Sequence, residues 1–279
     1  MSLSPSPLPE SVIATRLRTA GCVFAEDEAR LLVSTARTPD DLAAMVEQRV
    51  AGLPLEHVLG WAEFCGLRIA VAPGVFVPRP RTEFLIRQAV ALARQAAGQV
   101  PAGPRPVVVD LCCGSGAMGA ALAAALGEVE LHAADIDPAA VDCARRNLAA
   151  AGGRVYGGDL YQPLPATLRG RVDILITSPP YVPTEAIGLL PPEARVHEPQ
   201  VALDGGADGL DVVRRVIAEV PPWLAPGGHL LVETGERQAA QTVEAVARAG
   251  LVARMVNSEE LDATVVIGTR PALRRGDGA

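Results

Sequence analysis

Apolar positions along the chain follow two rhythms. Between residues 10 and 60 they recur near helical spacing in SVIATRLRTAG, EDEARLLVSTA and TPDDLAAMVEQRVAG, the last opening on a Thr-Pro-Asp start signal. The spacing predicts a small helical N-terminal domain over 1–60. EFCGLRIAVAPGVFVP alternates apolar and polar positions and carries a Pro-Gly pair, which predicts a β-hairpin linker over 61–80 that turns at that pair. From about 84 onward, short apolar runs alternate with helical patterns. The runs are VVVDL at 107–111, LHAAD at 131–135, RVY at 154–156, VDILIT at 172–177, HLLVET at 229–234 and ATVVIGT at 263–269. MGAALAAALG, PAAVDCARRNLAAAG, DGLDVVRRVIAEVPPWL and RQAAQTVEAVARAG lie between most of them. Such alternation predicts an α/β domain over 81–279 built on a doubly wound sheet. The tail RRGDGA reads as disordered.

One strand ends abruptly. VDILI at 172–176 runs into Thr177, Ser178, Pro179, Pro180 and Tyr181. Two prolines remove two backbone donors and fix two φ angles, so a central strand stops there and a rigid loop begins. In an open parallel sheet, ligands sit beyond the carboxyl ends of the strands, which makes this loop a candidate site.

Composition narrows the possibilities. A chain of 279 residues with 49% hydrophobic content is long enough for one large domain and a small one. No apolar run reaches the ~18 residues a membrane helix requires, and MSLSPSPLPE lacks the basic and apolar regions of a signal peptide, so the expectation is a cytoplasmic protein without a membrane partner. Cys22, Cys65, Cys112, Cys113 and Cys143 show no paired CxxC spacing, and His57, His132, His197 and His229 are scattered; neither set predicts a metal site. All 25 basic residues are arginine, which excludes Schiff-base and P-loop lysine chemistry. A net charge of −7 opposes a broad electrostatic grip on nucleic acid. Residues 1–80 hold seven arginines against nine acids, so the N-terminal domain is no polybasic arm and is expected to recognise a protein partner or cover the site.

After the strand at 107–111 comes DLCCGSGAMG, with Gly114, Gly116 and Gly119 in GxGxxG spacing ahead of a helix. Glycines there allow a tight turn and close backbone approach, and the helix N-terminus supplies N–H groups. This motif alone leaves NAD, FAD and S-adenosylmethionine open. Asp110 ends the first strand, where a carboxylate can bind an ammonium ion directly or through water. Asp135 ends the second strand, 19 residues after Gly116, and suits two ribose hydroxyls; Asp159 follows the third and suits an adenine amino group. Three acids after three successive strands fit S-adenosylmethionine better than a dinucleotide. Asp137 is expected to cap the helix that starts at Pro138.

The segments PLEHVLGWAEFCGLRIAVAPGVFVPRPRTEFL, DLCCGSG, ADIDPAAV, GDLYQPLP, SPPYVP, HEPQVALDGGADGLDVVRRVI and LLVETGERQ occur in this order over roughly residues 50–270. Together they resemble the HemK/PrmC group of protein-(glutamine-N5) methyltransferases, which modify the Gly-Gly-Gln loop of peptide-chain release factors. The resemblance implies a class I S-adenosylmethionine-dependent methyltransferase fold, Rossmann-like, with a mostly parallel sheet whose last strand is antiparallel. It also implies no metal, S-adenosylhomocysteine as the product, and a release factor as the protein substrate. Ser178 stands where most such enzymes have Asn, and Arg81 in PRPRTE stands where the usual form has Glu, so the chain reads as a divergent branch. Serine at that first position also occurs in some DNA cytosine-amino methyltransferases, which keeps nucleic-acid NH2 methylation as an alternative; a non-catalytic donor-binding protein is a third.

Methyl transfer from a sulfonium is an in-line displacement, so the enzyme must hold a nitrogen lone pair opposite sulfur. The Ser178 hydroxyl and the Pro179 carbonyl are the expected acceptors for the NH2 group, Pro180 keeps the loop rigid, and Tyr181 is expected to stack on the planar amide. Ser178 also adjoins the donor site. Glu198 in HEPQVAL is a candidate for orienting substrate, and Glu233 in VETGE a candidate for lining the site.

Overall fold

The computed structural model describes residues 8–97 and 105–272. The RRGDGA tail and the first seven residues of the stretch read for a signal peptide lie outside them. Four helices come first: α1 (Glu10–Thr19), α2 (Ala25–Thr35), α3 (Pro39–Val50) and α4 (Leu55–Leu59). Their apolar faces meet at Ile13, Leu17, Leu32, Met45 and Val46. The start signal of α3 works as its residues dictate: Thr38 caps the helix by accepting the Asp41 N–H at 3.1 Å, and Pro39 occupies the first turn, where no donor is missed.

Strands β1 (Trp61–Phe64) and β2 (Leu67–Ala70) form the hairpin. It turns at Cys65-Gly66 and not at Pro73-Gly74. A two-residue hairpin loop of the type that matches strand twist needs positive φ at both positions; Cys65 (50°) and Gly66 (73°) adopt it, and proline cannot. Pro73-Gly74 makes a separate turn, with the Val75 N–H donating to the Ala72 carbonyl at 3.0 Å.

The remaining chain alternates as α5 (Glu83–Ala97), β3 (Val107–Leu111), α6 (Ala117–Leu126), β4 (Glu130–Asp135), α7 (Pro138–Leu148), β5 (Arg154–Gly157), β6 (Val172–Thr177), α8 (Pro192–His197), α9 (Asp211–Glu219), β7 (Leu224–Thr234), α10 (Ala239–Arg248), β8 (Val252–Ser258) and β9 (Ala263–Thr269). The seven strands order as β5-β4-β3-β6-β7-β9-β8. The first five in that order are parallel, and β9 enters antiparallel between β7 and β8. Alternate residues of each central strand feed opposite cores. Val108, Ile174, Ile176 and Leu231 pack beneath α5, α6 and α7, while Val107, Val109, Leu175 and Leu230 pack beneath α9 and α10.

Strand β8 has no counterpart in the apolar pattern. It is an edge strand with one neighbour and mostly exposed or half-buried positions, so VARMVNS never had to be apolar. The architecture positions the site through one feature. Strands β3 and β6 are neighbours, yet the chain proceeds from β3 to β4 on one side and from β6 to β7 on the other. Their C-terminal loops therefore diverge around a crevice, the switch point at which doubly wound sheets bind ligands.

Candidate active site at the switch point

A cavity of about 820 Å³ opens at this crevice. On the β3 side its wall is the glycine loop. Cys112, Gly114 and Gly116 all have positive φ, at 56°, 53° and 78°, which bends the chain sharply from β3 into α6. Gly116 also has a packing reason: a Cβ there would stand 3.1 Å from the Ala144 Cα of α7. The loop is held from below by Asp135, whose Oδ2 accepts the Gly114 N–H at 2.8 Å and whose Oδ1 accepts the Asp137 N–H at 2.9 Å. Asp137 in turn caps α7 through the Ala139 N–H, as expected, and also lines the cavity. Burial pushes the Asp135 carboxyl above its ordinary range, the backbone donors working against that rise. At the end of β5, Asp159 receives Arg215 of α9 at 2.6 Å and Gln162 at 3.2 Å, both on Oδ2. Oδ1 has no protein partner among the described residues.

Asp110, expected to meet an ammonium ion directly or through water, does not line the cavity. It is fully buried, lies behind the wall, and accepts the Gly119 N–H at 2.8 Å, which ties β3 to the first turn of α6. Its second oxygen has no partner among the described residues. Burial drives its pKa up, the Gly119 bond opposes this, and the nearby Asp135 charge adds to the rise. Gly116 likewise shapes the loop without lining the cavity, whereas Gly114 lines it.

On the β6 side stand Ser178, Pro179, Pro180 and Tyr181, all in the cavity wall. Strand β6 ends at Thr177, where the prolines begin. Neither the Ser178 hydroxyl nor the Pro179 carbonyl has a hydrogen-bond partner among the described residues. The loop is fixed from outside: the Tyr181 carbonyl accepts Gln238 Nε2 at 2.9 Å, and Gly205 packs so closely that a Cβ would reach 2.7 Å from the Pro180 carbonyl. Tyr181 Oη accepts a guanidinium N–H of Arg81 at 2.5 Å. Burial, with the Glu233 charge behind it, pushes the phenol up to about 12, so it stays protonated.

Glu198 lines the cavity and is itself buried. Its Oε1 accepts Arg79 at 2.5 Å and the Val77 N–H at 3.3 Å, while Oε2 is buried without a partner among the described residues. Glu233 is not in the wall; it stands behind Arg81 and accepts the Thr82 hydroxyl at 2.7 Å. Arg79, Arg215, Gln238, Pro54 just before α4 and Glu56 within it, which also reach the wall or its supports, carry no motif-level signal. The lining holds eight carboxylates, Glu56, Asp135, Asp137, Asp159, Glu193, Glu198, Asp204 and Asp262, against the three arginines Arg79, Arg81 and Arg215. Such a wall favours a cationic ligand and repels polyphosphate.

Comparison with known proteins bears on the family and the fold. The profile of the family described as "Methyltransferase small domain" matches residues 93–190. The chain is 40% identical over 230 residues to a release factor glutamine methyltransferase of Mycolicibacterium smegmatis, covering 80% of this chain and 78% of that one. It is 40% identical over 206 residues to a 4-amino-L-phenylalanine/4-methylamino-L-phenylalanine methyltransferase of Streptomyces pristinaespiralis, covering 73% and 68%. Among solved structures, a methyltransferase from Pyrococcus furiosus superposes with a TM-score of 0.52 at 17% identity, covering 74% of this chain and 90% of that one. The fold is that of a class I S-adenosylmethionine-dependent methyltransferase.

Proposed function

The chain belongs to the release factor glutamine methyltransferase family, and from that premise we propose that it transfers a methyl group from S-adenosylmethionine to the side-chain amide nitrogen of a glutamine in a peptide-chain release factor. The observation that supports this most is the pair of unclaimed acceptors after β6, Ser178 Oγ and the Pro179 carbonyl, in one cavity with Asp135 and Asp159.

When bound, S-adenosylmethionine supplies a methyl group activated by a sulfonium. The residues present fit such a donor. Asp135, fixed by two backbone N–H groups, has lone pairs left for the ribose hydroxyls, and Asp159 Oδ1 is free for the adenine amino group. Gly114 lets the backbone approach closely, Gly116 lets the loop turn against α7, and the orphaned Asp110 oxygen suits an ammonium contact relayed by water.

On the substrate side, Ser178 and Pro179 accept the two amide hydrogens and turn the nitrogen lone pair toward the methyl group. Both contacts strengthen as nitrogen becomes cationic, so they lower the barrier more than they tighten ground-state binding. Pro180 holds the acceptors still, Tyr181 stacks on the amide plane, and Glu198 orients the approaching segment. The displaced proton leaves through these acceptors to solvent, so no base is needed beforehand. The N-terminal helices serve substrate choice, the start of α4 supplying Glu56, and the residue before it Pro54, to the wall.

Nucleic-acid NH2 methylation is disfavoured by the eight carboxylates in the wall. An arylamine acceptor is the second reading. It is favoured by the short Ser178 side chain, which leaves room for a ring-borne NH2, and by the relative that acts on 4-amino-L-phenylalanine. Incubation with methyl-labelled donor and, separately, a release factor, tRNA, a cytosine-containing oligonucleotide and 4-aminophenylalanine tests all of these. Label in the release factor is expected; label confined to nucleic acid or to the arylamine overturns the leading reading.

A further inference from the structure

Arg81 sits at a junction that the methyl-transfer scheme leaves unused. Its guanidinium donates to Tyr181 Oη at 2.5 Å, lies 5.7 Å from the centre of the Tyr181 ring, and approaches Glu233 Oε1 with Nε at 3.4 Å. Glu233 is 3% exposed, stands near the end of β7 beside β6, and is itself fixed by the Thr82 hydroxyl. The ring is thus held at both ends, its backbone carbonyl by Gln238 and its hydroxyl by Arg81. Arg81 supplies a donor, so the phenol oxygen is used as an acceptor, and neither Glu233 oxygen takes the phenol hydrogen.

We propose that Arg81 is a positioning residue that sets the tilt of the Tyr181 ring against the substrate plane, with Glu233 as its buried anchor. The inference rests on the reading of Tyr181 as the stacking platform. A planar guanidinium donates to the phenol while its Nε stays within ion-pair distance of the carboxylate in one rigid unit, whereas an ammonium on a flexible stem fixes no such relative geometry. Ring placement matters because an error near 1 Å in substrate position costs on the order of a hundredfold in rate.

A double-mutant cycle on whichever acceptor takes label tests this. Arg81→Met is expected to lower kcat roughly ten- to hundredfold with little change in affinity for S-adenosylhomocysteine. Tyr181→Phe, which keeps the ring, should give a similar fall, and the double variant should fall no further than Tyr181→Phe alone. Additive losses would mean that Arg81 acts on the substrate itself and would overturn the proposal, as would wild-type turnover in Arg81→Met or full rescue by Arg81→Lys. Because Arg81→Met leaves Glu233 without its cation, Arg81→Met with Glu233→Gln serves as the charge-balanced version. A second readout needs no turnover. The chain has three tyrosines, so fluorotyrosine labelling gives three resonances, assigned with Tyr181→Phe. Arg81→Met should move the Tyr181 resonance and leave Tyr156 and Tyr161 in place; an unmoved Tyr181 resonance overturns the proposal even if the release-factor reading fails.

Discussion

At the scale of single residues, the proposed chemistry rests on small groups held rigidly. Ser178→Ala removes one of two acceptors whose contact strengthens in the transition state, so kcat should fall ~10- to 1,000-fold with donor affinity nearly unchanged. Steady-state kinetics with calorimetry of S-adenosylhomocysteine checks this, and an unchanged kcat with a raised KM or weakened S-adenosylhomocysteine binding would assign Ser178 to binding alone. Asp135→Ala should weaken the donor by ~1 to 3 kcal/mol, since a charged acceptor is lost. Part of that loss is indirect, because the Asp135 carboxylate also holds the Gly114 and Asp137 N–H groups. Asp135, Asp159 and the Ser178–Tyr181 loop, which the structure brings to one cavity, stand out in the sequence because each is written locally, as an acid or a proline pair at or just past the end of an apolar run. The partners that hold them do not. Arg81 meets Tyr181 across 100 residues of chain, Gln238 meets Tyr181 across 57 and Arg215 meets Asp159 across 56. No local pattern announces such contacts, and the same is true of the burial that turns Asp110 away from the cavity.

At the scale of elements, the four N-terminal helices contain a test of their own. Arg49 of α3 is buried and makes two bonds to buried Glu28 of α2, at 2.6 and 3.1 Å, and a third to Glu193 of α8 at 2.5 Å. Arg49→Met strands Glu28 without a cation and should cost ~3 to 5 kcal/mol of stability, whereas adding Glu28→Gln should recover much of it. Thermal unfolding of the two variants measures the difference; equal melting points would show that Glu28 escapes to water when Arg49 is lost. The helix and strand alternation was readable wherever burial forces apolar character. It failed where burial is slight, at edge strand β8, and where turn geometry decides, at Cys65-Gly66, because a positive φ at cysteine is dictated by the strand pairing around it. Helices α4, α5 and α8 also lie outside the helical patterns taken from the chain. Two of them are only five and six residues long, too short to carry a periodic signal.

At the scale of the whole molecule, the switch point gathers acids around a site for a cationic donor, and this shapes the response to pH. Burial is the leading cause that raises Asp110, Asp135, Asp173 and Glu198 above the ordinary carboxylate range. The folded chain therefore binds more protons than the unfolded chain between the ordinary carboxylate pKa, ~4, and the raised values, and its stability increases as pH falls through that window. Glu130, Asp204 and Asp208 are lowered by their hydrogen-bond partners and act oppositely, below that window. Burial lowers His132 and His229 below the ordinary imidazole range, so they oppose this gain as pH falls through ~6.5. Asp110→Asn removes one raised carboxyl, so its donor-free melting point should gain less, or lose more, on acidification from pH 8 to pH 5 than that of the wild type. An identical pH response in the wild type and Asp110→Asn would contradict the assignment. Donor affinity should fall on acidification, since protonating Asp135 removes the charge that attracts a cation. The central claim is that this fold delivers a sulfonium methyl to an amide nitrogen of glutamine in a release factor. Tandem mass spectrometry of a release factor after reaction with S-adenosylmethionine tests it most directly: a single methyl on the glutamine side chain of the Gly-Gly-Gln loop is the predicted result, and a methyl on any other residue, or an unmodified factor, contradicts the account.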